Sequence, residues 1–376
     1  MTAIINFLFA AIKAGTPLLF GTTGEIVTQK AGNLNLGVEG MMYMGAFTGF
    51  YVGLTTGSLP LALLAAFGAG MLGALIYAFL TVTLKADQNV TGLTLTIFGT
   101  GFANFFGEVM ISQTAGGQPK LPENLLGILA EHPIPLLSSI PFFGKLLFSH
   151  NLLVYLAVVV AVLCGFYISR TRAGLSMRSV GENPAAADAA GINVTLVKYT
   201  NILLGGGICG LGGVYISLIN GGGVWNNGCV GGQGWIAVAL VIFASWSPVK
   251  AILGSLVFGA FSVLVWGTTF VSTKVLLRAF TPLEIMVARF TLGFLALLIV
   301  DKGLMRPQKR WHEGLFALAG LSGVTLYFLM ENIALTYISA SLVGVIVAAA
   351  PLFTALIAAA VLHEKLSKWF FFGFVC

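Results

Sequence analysis

The sequence predicts an all-α protein, a polytopic bundle of transmembrane helices, and three observations carry that prediction. Hydrophobic residues fill 57% of the 376 positions and charged residues only 9%, where soluble domains carry about 25% charged residues. Mean hydropathy is +0.96, more apolar surface than a water-soluble core can hide. Apolar runs of bilayer length recur along the chain, and a helix needs about 20 such residues to cross roughly 30 Å of hydrocarbon. The 48 glycines fit the same picture, since small residues let membrane helices approach closely.

Taken in order, the runs predict spans near 3–23, 35–54, 59–84, 89–110, 151–169, 199–219, 234–247, 251–273, 282–300, 314–333 and 341–362. That is about eleven spans, with a truncated last one from Trp369 to Cys376 that is too short to cross. Lys and Arg in short loops mark the cytoplasmic side. With Arg170, Arg172, Arg178 and Lys198 inside, alternation also places Lys30, Lys85, Lys250, Lys302, Arg306, Lys309, Arg310, Lys365 and Lys368 inside. Lys120, Lys145, Lys274 and Arg278 fall outside, and so does the N-terminus. The stretch 111–150 is one long external loop, and its prolines (Pro119, Pro122, Pro133, Pro135, Pro141) predict irregular structure. The first apolar run lacks a basic leader and continues into further spans, so no cleavable signal peptide is expected.

Several function classes are excluded. The net charge of +6 is spread over short loops, which argues against a nucleic-acid partner. Cys164, Cys209, Cys229 and Cys376 lack paired spacing and read as packing residues. His132, His150, His312 and His363 are dispersed, so neither a metal site nor an activated nucleophile is expected. Gly68-Gly70-Gly73 and Gly205-Gly207-Gly210 match GxGxxG, but both lie inside apolar spans without a preceding strand. Helix packing is the better reading, and no cofactor is expected. GxxxxGK[ST] occurs nowhere, so the chain is not expected to hydrolyse ATP through a P-loop, nor to be an enzyme.

Two constellations remain. The first is the polar insertion 170–198. Asn183 is a good N-cap, Pro184 suits the first helical position, Ala185–Ala190 favours helix and Gly191 is a plausible stop. These residues predict a short helix on the membrane surface, either a docking element or an ordinary loop. The second is polarity at membrane depth. Gly32–Gly40 carries Asn33, Asn35 and Glu39, and the fourth span carries Asn89, Thr91, Asn104 and Glu108. A carboxylate in hydrocarbon costs about 2.5–3.5 kcal/mol on insertion scales, so Glu39 must face a cavity or a partner helix. Trp225 and Gln233 flank a glycine-rich segment, 221–234, that could be re-entrant. These groups form either a hydrogen-bonding path for a polar solute or interhelical glue, and structure or gating is the better reading for Asn35 and Glu39.

Family resemblance enters at the first constellation. The run from Thr171 to Ile192, TRAGLSMRSVGENPAAADAAGI, resembles the coupling loop of ABC-importer permeases of the branched-chain amino acid, simple sugar and nucleoside group. Gly24–Ala46 and Gly231–Ala260 are similar to the nucleoside-type branch, so the resemblance covers residues 1 to about 260. It implies that Arg178, Gly181, Glu182, Asn183, Pro184, Ala186, Ala187 and Gly191 contact a separate ATP-binding subunit. It also implies a second permease subunit, identical or different, an extracytoplasmic substrate-binding protein, and a bacterial inner membrane. The expected cargo is a nucleoside or related polar solute.

Beyond residue 260 the likeness changes. Trp266-Gly267, Pro282–Arg289, Pro351 and Glu364-Lys365 resemble the start of an EamA-type drug/metabolite transporter, a family of two five-helix halves. The expected domains are thus 1–260, a permease lacking its last helices, and 261–376, a partial EamA-type half. The seam lies in the run Ala251–Thr273, which is long enough, at about 35 Å, to cross once. Fusion of two incomplete transporters leaves two other readings open. One is a secondary carrier built on 262–376, and the other is a helical membrane protein that transports nothing.

Overall fold

The computed structural model describes residues 2–276 apart from 115–118, 134, 136, 139 and 141–142, and scattered positions between 284 and 326. The chain divides into two compact units, Met1–Thr268 and Thr269–Cys376. In the first unit the helices α1 (Thr2–Lys30), α2 (Val38–Thr56), α3 (Leu59–Ala78), α4 (Gln88–Gln113), α5 (Glu123–Leu129) and α6 (Phe143–Phe148) are followed by α7 (Leu152–Arg170), α8 (Arg172–Glu182), α9 (Pro184–Ala189), α10 (Val194–Tyr215) and α11 (Gln233–Phe243). A twelfth helix, α12, covers Pro248–Leu276. Helices α3 and α10 each continue into a π-turn, Phe79–Thr83 and Ile216–Asn220. In the second unit, the described positions between 284 and 326 are helical. The spans expected at 282–300 and 314–333 fall mostly, and those at 341–362 and from Trp369 wholly, outside the described residues.

Among the described residues six helices are long and apolar enough to cross a membrane: α1, α3, α4, α7, α10 and α12. Helix α2 falls short of that hydropathy for a physical reason. It packs against α3, α10, α4 and α11, and its length from Val38 to Phe50 is buried almost throughout, Glu39 included. Protein, not lipid, is its solvent.

The bundle is closed by glycine contacts. Cβ atoms added at Gly70, Gly210 and Gly213 would run into the backbone of the facing helix, at Gly206, Ala66 and Met42 respectively. Gly45 of α2 likewise lies against Gly210, and Gly24 of α1 against Gly205. Burying an apolar side chain gains about 1.5–3 kcal/mol in water, but helices in lipid gain nothing comparable, and close backbone approach replaces that drive. The packing reading of the two GxGxxG matches therefore holds at Gly70, Gly73, Gly205, Gly207 and Gly210, whereas Gly68 faces open space.

Two expectations are corrected. The 111–150 stretch is not irregular throughout, because it contains α5 and α6. Pro122 starts α5, and Leu125 and Leu129 are buried beneath it. The expected span 234–247 is only the 11-residue α11, about 16 Å long and half the bilayer thickness. The missing half is supplied by the segment before it.

Candidate functional site

That segment, 221–232, runs back along α2. Trp225 is buried and its ring lies 5.6 Å from Phe47 and 5.4 Å from Phe50. Further along, the Gly231 N–H donates to the Tyr43 hydroxyl at 3.2 Å. The Gly232 and Gly234 N–H groups then donate to the two Glu39 oxygens at 2.7 and 2.6 Å. The loop thus follows α2 from Phe50 to Glu39, about 16 Å of helix. Gly232 turns left-handed (φ +87) to aim its N–H, a conformation glycine adopts freely. Glu39 caps the start of α11, where the helix dipole favours hydrogen-bond acceptors. Asn104 accepts from the Gly228 N–H at 3.3 Å, and the Asn227 amide donates to Glu108 at 2.7 Å. Three of the sequence-selected polar residues, Glu39, Asn104 and Glu108, therefore converge on one loop.

A second network holds the turn between α1 and α2. The Asn35 N–H and the Gln29 side-chain amide both donate to Glu25 Oε1, each at 2.9 Å. Asn35 Oδ1 accepts from the Gly37 N–H at 2.8 Å. The Leu34 N–H donates to Gln88 at 2.7 Å, and the Tyr77 hydroxyl donates to the Leu34 carbonyl at 2.6 Å. The Trp246 indole N–H donates to Gln29 Oε1 at 2.6 Å. Glu25 Oε2 and Asn33 Oδ1 are buried without a hydrogen-bond partner. An open cavity of about 430 Å³ adjoins this network, lined among others by Gln29, Asn33, Gln88, Ile242 and Trp246. Ser245 and Trp246 both take left-handed backbones (φ 50 and 52), strain of about 1–3 kcal/mol per residue that the surroundings must offset. Asn89 is exposed at the start of α4. Thr91 is buried, its hydroxyl turned back onto the Asp87 carbonyl at 2.7 Å, so it offers little to a solute.

The sequence-selected docking loop forms two helices. Thr171 caps α8, and the Asn183 side chain caps α9 by accepting from the Ala186 N–H at 3.0 Å. Helix α9 ends in a Schellman motif. The Ile192 N–H reaches the Ala187 carbonyl at 3.0 Å and the Gly191 N–H reaches that of Asp188 at 2.8 Å, with Gly191 left-handed at φ +81. Glu182, Asn183, Pro184, Ala186 and Gly191 are exposed, and Arg178 is half-buried. Ala187 is buried beneath α9. Gly181 meets the chain at Lys30–Gly32, where a Cβ would strike the Lys30 carbonyl oxygen. Gly181 and Ala187 face the bundle, Arg178 lies partly buried with its Nε enclosed, and the others face outward.

Sequence reasoning missed Glu25, Gln29, Gln88 and Trp246 as site residues. One signal was present, because Glu25 and Gln29 stand four residues apart on one face of an otherwise apolar run.

Residues 6–299 match the family described as the permease component of branched-chain amino acid transport systems. The chain belongs to this permease family. The permease is 36% identical to a putative glucose ABC transporter permease of Haloferax volcanii over 70% of this chain and 78% of the relative. It is 39% identical to a nucleoside ABC transporter permease of Lactococcus lactis and 35% identical to a guanosine ABC transporter permease of Bacillus subtilis, each over 66% of this chain and 78% of the relative. Residues 253–376 of the permease match the EamA-like transporter family, overlapping the first match at 253–299. No solved structure matches it. Its relatives are membrane subunits of ABC transporters, which work with an ATPase and a substrate-binding protein, and no ATPase domain is among its matches.

Proposed function

We propose that the chain is the membrane-spanning subunit of an ATP-driven importer for nucleosides or a related small polar solute, coupled to a separate ATPase through residues 170–198. The observation that carries this reading is the docking loop's two-sided construction. Its outer side exposes Glu182, Asn183 and Pro184 on a capped helix. Its inner side presses Gly181 onto the Gly32 turn, backbone to backbone. Force on α9 therefore reaches the turn below the cavity without passing through flexible side chains. Arg178, Glu182, Asn183, Pro184, Ala186 and Gly191 form the ATPase contact in this reading, and Gly181 and Ala187 hold it in place. Asn33 lines the solute path, while Asn35, Glu39 and Asn104 fix its walls. Asn89 and Thr91 stand at its α4 edge.

The likeness to the nucleoside and guanosine permeases supports the cargo, and the neutral cavity lining agrees with it. A second permease subunit and an extracytoplasmic binding protein complete the importer in a bacterial inner membrane. Residues 1–260 are the permease domain and 261–376 the EamA-type segment. Co-purification with the cognate ATPase is the test. Glu182→Arg should cut recovery of the ATPase at least about tenfold, the effect of losing about 1.4 kcal/mol at one contact, with an unchanged melting profile. Undiminished recovery would reject the docking reading. The EamA match favours a second reading, a carrier built on the C-terminal region. Solute uptake that survives deletion of 1–250 would support it.

A further inference from the structure

The cavity beside Trp246 has a chemistry that its position alone does not require. Its polar groups are three carboxamides, Gln29, Asn33 and Gln88, and its other walls include Val238, Ile242 and the Trp246 indole. No ionisable side chain lines it, although Lys30 and Glu25 are close in sequence. Carboxamides offer donors and acceptors together, and an indole offers a flat apolar face. Asn33 is 1% exposed with its Oδ1 unpartnered. That oxygen is sealed from the cavity, so the carboxamides a ligand can reach are those of Gln29 and Gln88. The volume, about 430 Å³, is within the usual range of about 300–1,000 Å³ for small-molecule sites. An amino acid would bring two charges with nothing to pair them.

We propose that this cavity binds the planar heterocyclic base of a nucleoside, base edge toward Gln88 and base face toward Trp246, at the docking-loop end of the bundle. The proposal rests on the nucleoside-importer reading and adds the place where the cargo is held. The wall that carries Asn33 begins at Gly32, the residue against which Gly181 is packed. Movement of the docking loop would therefore reshape the site directly.

The test is photolabelling of the purified full chain in lipid nanodiscs with 8-azidoguanosine, without any ATPase, followed by peptide mapping. Label is expected on peptides carrying 29–34 or 238–246, protected by guanosine and not by ribose. Ile242→Trp fills the cavity without removing a hydrogen bond and should lower labelling about tenfold. Val238→Phe serves the same purpose should the first variant fail to fold. Label confined to other peptides, equal protection by ribose, full labelling of a folded cavity-filled variant, or no protectable label would each overturn the site. None of these results touches ATPase recovery, so failure of the site and failure of the importer reading are separable.

Discussion

The two buried glutamates of the first unit meet the same problem and solve it differently. Each sits in an apolar helix and accepts two N–H hydrogen bonds. At Glu39 both oxygens are used, by Gly232 and Gly234. At Glu25 only Oε1 is used, by Asn35 and Gln29, and Oε2 has no partner. A carboxylate with every acceptor engaged is a structural fastening. One with an oxygen left over is a looser fastening.

Substitutions should separate the two. Glu39→Leu leaves two buried N–H groups without an acceptor, each costing about 1–3 kcal/mol. It should be the most damaging change, visible as loss of the monodisperse peak in detergent, and normal melting would break the comparison. Glu39→Gln should come next, because its amide nitrogen must face one of two N–H donors, at a cost of about 2 kcal/mol. Glu25→Gln should be nearly neutral in thermal melting, since its NH₂ can occupy the unused Oε2 position while Oε1 keeps both bonds. Equal melting shifts for the two Gln variants would remove the distinction. Gly181→Ala places a methyl group against the Lys30 carbonyl, and it should lower ATPase-coupled uptake more than it lowers melting.

The smallest effect concerns pH. Burial, the largest cause, lowers the pKa of His150, which stacks on Phe9 with ring centroids 4.2 Å apart. The unfolded chain then takes up a proton before the folded one does. Stability is therefore full above about pH 6.5 and falls as the pH drops below that value toward the lowered folded pKa. Melting of the wild type between pH 7.5 and 5.5 should show this slope, and His150→Gln should flatten it.

The contrast also marks what the sequence could reveal. Glu39 was visible because it interrupts a glycine-rich span opening, and the segment 221–234 because it is rich in glycine. The cap, first-turn proline and stop glycine of α9 specified its ends by local chemistry alone. Glu25 was hidden inside a long apolar run, where a single carboxylate gives no hint of its partners. The Asn35 partner is set by the tertiary fold, and so is the bond from Trp246 to Gln29, which spans 217 positions. The length of α11 was obscured for a related reason. An apolar stretch of that size reads the same whether it crosses the bilayer or meets a loop halfway.

Helix α2 carries a consequence of its own. Sheathed by its neighbours from Val38 to Phe50, it is shielded from the acyl chains. Thinning or thickening of the surrounding bilayer should therefore tilt the outer helices first and leave this inner mast upright. Its apolar run marked it as a span, yet its hydropathy falls short of that of the lipid-facing helices because α3, α4, α10 and α11 surround it.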